Sequence, residues 1–182
     1  MLNELNFNFN VNEINLDSAT TDGFAKLESG WYKIALAEVS ETRNESSGAG
    51  IGASFTFRVL EGPCTGQTFR KWFCVQAIQA SAKWRQTNFE NYIVRIAQCV
   101  GVSQIQGESF VEQLLNKPFY AYIVCKEREF TSNQTDRDGN FITKKTVDTD
   151  FAKGKLIDNV LSCAEYEAKN ADDISLKLEM NV

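Results

Sequence analysis

The sequence predicts a mainly β fold, a small barrel of five strands with one helix between the third and fourth. Three observations carry this. Apolar and polar residues alternate at period two in five stretches between residues 30 and 150. The period shifts to three and four only once among them on any length, between residues 78 and 100. The two longest polar connections, 42–52 and 131–140, follow the first and fourth of those strands.

Trp31 to Glu41 reads as the first strand, and Thr42-Arg-Asn-Glu-Ser-Ser-Gly-Ala-Gly-Ile-Gly as a connection rich in turn formers. Ala53 to Glu61 alternates clearly; Gly62-Pro-Cys-Thr-Gly turns the chain, and Gln67 to Val75 is the third strand. Gly62 and Gly66 bracket that turn, where positive φ is needed. From Ile78 to Val100, Phe89, Tyr92, Ile93, Ile96 and Val100 form one apolar stripe of a helix, and Gly101 suits its C-terminal cap. A short helix over Ser109–Leu115 stops at Asn116-Lys-Pro. Phe119 to Phe130 and Phe141 to Asp148 are the last two strands, joined through an Asp-Gly turn.

Three strands, a helix and a hairpin is the order of an OB-fold, a five-stranded Greek-key barrel that binds ligands on strands two and three between the loops after strands one and four. The barrel is assigned to 30–150. Residues 1–29 form an arm with an amphipathic strand (Leu5, Phe7, Phe9 and Val11 on one face) and a linker; 151–182 form an acidic, partly helical segment. The arm strand offers a route to a partner's sheet or to a homo-oligomer.

Composition excludes much chemistry. The chain has 182 residues and no histidine, so no Ser-His-Asp or Cys-His pair, imidazole zinc site or histidine base exists. Cys64, Cys74, Cys99, Cys125 and Cys163 include no C-x-x-C pair and fit reduced, buried thiols in a cytosolic protein. Gly48-Ala-Gly-Ile-Gly lacks the Gly-Lys-Ser/Thr of a phosphate loop. The acidic pairs Asp136/Asp138 and Asp148/Asp150 stand in or beside a turn, where aspartate is common, so neither metal nor cofactor is expected. No enzyme is expected. No run of about 18 apolar residues is present, and the first residues lack a secretory pattern, so a cytoplasmic protein with no membrane contact is expected.

The net charge of −5 is uneven: residues 30–155 carry +3, and each flank −4. That balance argues against coating duplex DNA but suits a narrow groove tracking one strand. Strand alternation sorts an outward set, Arg58, Arg70, Trp72, Tyr120, Tyr122, Lys126 and Arg128, with Phe141 near the loop tip and Lys144 on the last strand. Rings interleaved with cations suit single-stranded nucleic acid, because each base offers a π-face and each phosphate a charge. Lys83-Trp-Arg is a further basic–aromatic cluster; the helical period leaves Trp84 off the Phe89/Ile93/Ile96 stripe, open to exposure, and the competing reading is that it caps the barrel's open end.

The segments Gly30-Trp-Tyr-Lys-Ile-Ala-Leu-Ala-Glu-Val, Ala53-Ser-Phe-Thr-Phe-Arg-Val-Leu-Glu-Gly, Gly66-Gln-Thr-Phe-Arg-Lys-Trp-Phe, Ile96-Ala-Gln-Cys-Val-Gly-Val and Leu114-Leu-Asn-Lys-Pro-Phe stand in this order. In these the chain resembles, over about residues 5–150, a bacteriophage family first catalogued as a domain of unknown function and described as single-stranded-DNA-binding proteins. The resemblance implies an OB-like barrel that coats single strands in phage replication or recombination, alongside the proteins of those processes, in the host bacterial cytoplasm. The end, Lys177-Leu-Glu-Met-Asn-Val, is less acidic than the partner-recruiting tails of the best-known single-strand binders. The expected function is therefore non-enzymatic, sequence-tolerant binding of single-stranded DNA. The alternative is a protein-binding barrel, such as a phage accessory or host-inhibiting factor, that docks through the arm strand.

Overall fold

The computed structural model describes residues 26–44, 50–105, 110–135 and 139–179. Its elements are β1 (Gly30–Asn44), β2 (Gly50–Val59), β3 (Thr68–Ala77), α1 (Lys83–Cys99), α2 (Phe110–Leu114), β4 (Pro118–Thr135), β5 (Phe141–Phe151), α3 (Leu156–Asn159), β6 (Val160–Leu161) and α4 (Cys163–Glu179). The strands form one curled antiparallel sheet in the order β3-β2-β1-β4-β5, with β6 also pairing β4. This is the expected mainly β, OB-like barrel.

β1 makes the curl. Its first residues, Gly30 to Ala35, pair with β4, and Ile34 to Asn44 pair with β2. A register shift between Leu36 and Glu38 bends the strand between its two partners. The sheet edges β3 and β5 then meet through side chains. The Phe69 and Phe151 rings are 5.7 Å apart, and Lys71 of β3 forms an ion pair with Asp150 of β5. No backbone ladder joins these two strands among the described residues.

Alternation fills the interior with Phe55, Phe57, Val59, Phe69, Phe73, Phe119 and Ile123, and α1 seals it with Phe89, Tyr92, Ile93 and Ile96. Each fully buried side chain of this size contributes about 1.5–3 kcal/mol. The rings interlock edge to face, Phe55 with Phe73 at 5.2 Å and Phe57 with Phe151 at 5.0 Å. Lys71, which breaks the apolar pattern of β3, lies 5.3 Å from both the Phe73 and Tyr92 centroids. A long stem on an edge strand crosses those rings and sets its ammonium against Asp150 at the seam. Burial, aided by the Asp150 charge, pushes the Tyr92 hydroxyl up to about 12.

The helices follow local signals. α1 starts at Lys83, later than the expected Ile78, because a 3-10 turn over Ala80–Ala82 intervenes. It ends in a Schellman motif: Gly101 has φ 75°, and the Val102 amide donates to the Ala97 carbonyl at 2.9 Å. The sheet continues past residue 150. Phe151 is only 3% exposed, and β6 places Val160 and Leu161 in the buried sheet. α4 opens with a capping box: the Glu165 amide donates to Ser162 Oγ at 3.2 Å, and the Ser162 amide to Glu165 Oε2 at 2.7 Å. Arg95 of α1 clamps that carboxylate at 2.9 Å. Ser162 and Arg95 hold the Glu165 carboxyl below its usual value in spite of partial desolvation.

β4 runs to Thr135, so half of the expected loop 131–140 is strand; Thr131 pairs Thr143 and Thr135 pairs Phe141 across a register slip. The arm strand 5–11 and residues 45–49 and 136–138 lie outside the described residues. No helix among the described residues is long and apolar enough to cross a membrane.

Candidate nucleic-acid interface

On the outer face of β2 and β3 the register pairs Ser54 with Trp72, Thr56 with Arg70 and Arg58 with Thr68. Arg58, Arg70 and Trp72 therefore share one side of the sheet, as alternation predicts, and both arginines are exposed. Trp72 is 38% exposed. Its indole is laid across Gly52: a Cβ there would stand 2.1–2.4 Å from Cζ2, Cε2 and Nε1 of the ring. At Gly50 a Cβ would meet the Gln76 carbonyl at 2.2 Å and Cys74 Sγ at 2.8 Å. These glycines form a flat floor for the β3 side chains. Their period-two spacing opposite β3 is the signal that reading 42–52 as a loop passes over.

A second basic surface lies on the β4–β5 hairpin. Lys126 stands opposite Asp148, Arg128 opposite Thr146, and Phe130 opposite Lys144, so these side chains share one face. Arg128 Nη1 lies 3.6 Å from Asp148, and Lys144 Nζ donates to Gln134 Oε1 at 2.7 Å. Phe130, 43% exposed, belongs with them although it was not expected there; the alternation from Lys126 and Arg128 already places it on their side. Phe141 is 65% exposed, but alternation along β5 puts it on the face opposite Lys144.

Tyr120 and Tyr122 are placed differently from the expected open set. Both lie on the outer face of β4; α4 covers Tyr120 directly, and Tyr122 packs against Trp31, which α4 touches. Tyr166 stacks on Tyr120 with centroids 3.8 Å apart and planes 8° from parallel. The Tyr120 hydroxyl donates to Glu61 Oε1 at 2.5 Å, and Lys33 Nζ meets Glu61 Oε2 at 3.3 Å. Tyr122 packs edge-on to Trp31 at 5.6 Å; Trp31 also touches Tyr166, and the Lys169 ammonium lies 4.9 Å from its ring. Burial, then the bond to Glu61, keeps the Tyr120 hydroxyl protonated well above the ordinary tyrosine value. The same bond, with Lys33, lowers the Glu61 carboxyl.

Between the two open basic surfaces runs the β3–β5 seam, where Thr68, Arg70, Asp148 and Asp150 line a cavity of about 480 Å³. Its aspartates are engaged, Asp150 with Lys71 and Asp148 with Arg128, so they partly neutralise the neighbouring cations. No group of side chains among the described residues is arranged to hold a metal ion. Asp136 and Asp138 lie outside those residues. Cys64, Cys74 and Cys99 are buried and no disulfide is formed among the described residues. Burial pushes the Cys99 thiol up to about 11, so it is a neutral packing group at ordinary pH.

Residues 14–137 match the family described as "Protein of unknown function (DUF669)", and the chain belongs to that family. No curated protein matches the chain.

Proposed function

We propose that this member of the DUF669 family is a non-enzymatic, sequence-tolerant single-stranded-DNA-binding protein. It would act in phage replication or recombination, in the cytoplasm of the host. The observation that carries the reading is Trp72: an indole held flat over Gly52 on a strand pair whose same face presents Arg58 and Arg70. A ring in that position stacks on a base whatever its identity, and the two guanidiniums meet the adjoining phosphates. The hairpin surface of Lys126, Arg128, Phe130 and Lys144 adds a second set of the same kind. In this reading Tyr120 anchors α4 and Tyr122 packs on Trp31 rather than touching DNA, and Phe141 contacts DNA only through the other side of the hairpin.

The test is retardation of a labelled oligo-dT in a native gel at low salt. The reading expects retardation that rising salt abolishes and that Trp72→Ala weakens. Absence of retardation at low salt would overturn it and favour a protein-binding barrel.

A further inference from the structure

The first turn of α1 departs from the reading in which Trp84 caps the barrel. Its ring is 65% exposed, and Ile78 just before the turn is 69% exposed. The barrel end is already sealed by Phe89, Tyr92, Ile93 and Ile96, so the core does not need Trp84. Lys83 and Arg85 flank it, with the Arg85 guanidinium 5.4 Å from its centroid. No acid stands in this turn, and among the described residues neither cation forms an ion pair. An apolar ring kept in water between two uncompensated cations suits a partner that is flat and anionic.

Its place in the fold is tied to the Trp72 face. The Ala77 amide donates to Gln86 Oε1 at 3.1 Å, which fixes the start of α1 to the end of β3. Ala77 pairs with Gly50, two residues before the glycine under Trp72. Trp72 and Ala77 lie on one strand, about 16 Å apart at ~3.3 Å per residue. β3 thus leads from Trp72 to Ala77, the residue tied to the start of α1, where Trp84 stands.

We infer that Lys83, Trp84 and Arg85 form a second stacking point for the same single strand, which continues from the β2–β3 face past the end of β3. The inference rests on the proposed DNA-binding reading and extends it: the occupied length exceeds what Trp72 alone can cover. The charge of the turn favours this occupant over an apolar segment of a protein.

The experiment compares oligo-dT of about 6 and about 16 nucleotides, both within the span one such barrel covers. Anisotropy titrations use the full chain, Trp84→Ala, Trp84→Phe and the double variant Lys83→Glu/Arg85→Glu. Wild type should bind the longer oligonucleotide more tightly. Trp84→Ala should lose about tenfold in affinity for it, the effect of one stacked base, with a change within about twofold for the shorter. Trp84→Phe should recover most of the loss, and the charge reversal should reproduce it. Equal losses at both lengths, or none at either, would overturn the inference while leaving the DNA-binding reading intact. A wild-type protein that binds neither oligonucleotide would remove both.

Discussion

On β2 and β3, Arg58, Arg70 and Trp72 face outward, and Trp72 keeps 38% of its surface in water. On β1 and β4, Trp31, Lys33, Tyr120 and Tyr122 pair across the same side of the same barrel, and α4 lies over Trp31 and Tyr120. Both regions set rings among cations. What separates them is a distant piece of chain: the Ser162–Glu165 capping box and the Arg95 clamp start α4 where Tyr166 lands on Tyr120. Period-two alternation tells which side of a sheet a residue takes and says nothing of what covers that side.

Several changes would break or sharpen this contrast. The largest effect is expected from Tyr120→Ala, which removes a stacked ring pair and a hydrogen bond to a carboxylate. Urea unfolding should register a loss of about 3 kcal/mol, with affinity for oligo-dT nearly unchanged. A fall in affinity at unchanged stability would put Tyr120 back among the binding residues. Trp72→Ala should do the reverse, lowering affinity by about 1–3 kcal/mol with only a small shift in the unfolding midpoint. If both variants behaved alike, the distinction between open and covered faces would fail.

A smaller effect separates cations from rings. The log–log salt dependence of binding should fall by about 0.7 for each phosphate that is no longer neutralised, so Arg70→Gln should flatten the slope and Trp72→Ala should leave it unchanged. A slope unmoved by Arg70→Gln would remove that arginine from the phosphate path.

The smallest effect is a pH dependence confined to the covered face. The folded Tyr120 hydroxyl holds its proton above the unfolded value of about 10. Its contribution is therefore complete below that pH and is lost as pH rises through the folded value. Tyr92, pushed up to about 12, adds to the same alkaline fall. Tyr120→Phe should make the loss of stability above about pH 10 shallower, as followed by urea midpoints across the alkaline range. An identical fall in the variant would show that the folded protein does not hold the Tyr120 proton above its unfolded value.

Much of the barrel is legible in the residues, because each strand obeys a local rule: Phe55-Thr-Phe-Arg-Val alternates, and Gly101 ends α1 where a positive φ is needed. The capping box at Ser162 is also a local pattern, visible as Ser-x-x-Glu. Non-local facts were not legible. Lys71 looks misplaced on β3 until the seam brings Asp150 to it. Gly50 and Gly52 read as loop until β3 lays Cys74 and Trp72 over them. Trp84 reads as a cap or as an exposed ring until α1 is seen to seal the barrel without it.

The most direct measurement is the anisotropy of a labelled oligo-dT titrated with wild type, Trp72→Ala and Tyr120→Phe at low and high salt. The account predicts tight, salt-sensitive binding by wild type and Tyr120→Phe, and roughly tenfold weaker binding by Trp72→Ala. Wild-type anisotropy that stays flat at low salt, or a Trp72→Ala curve that overlays wild type, would contradict it.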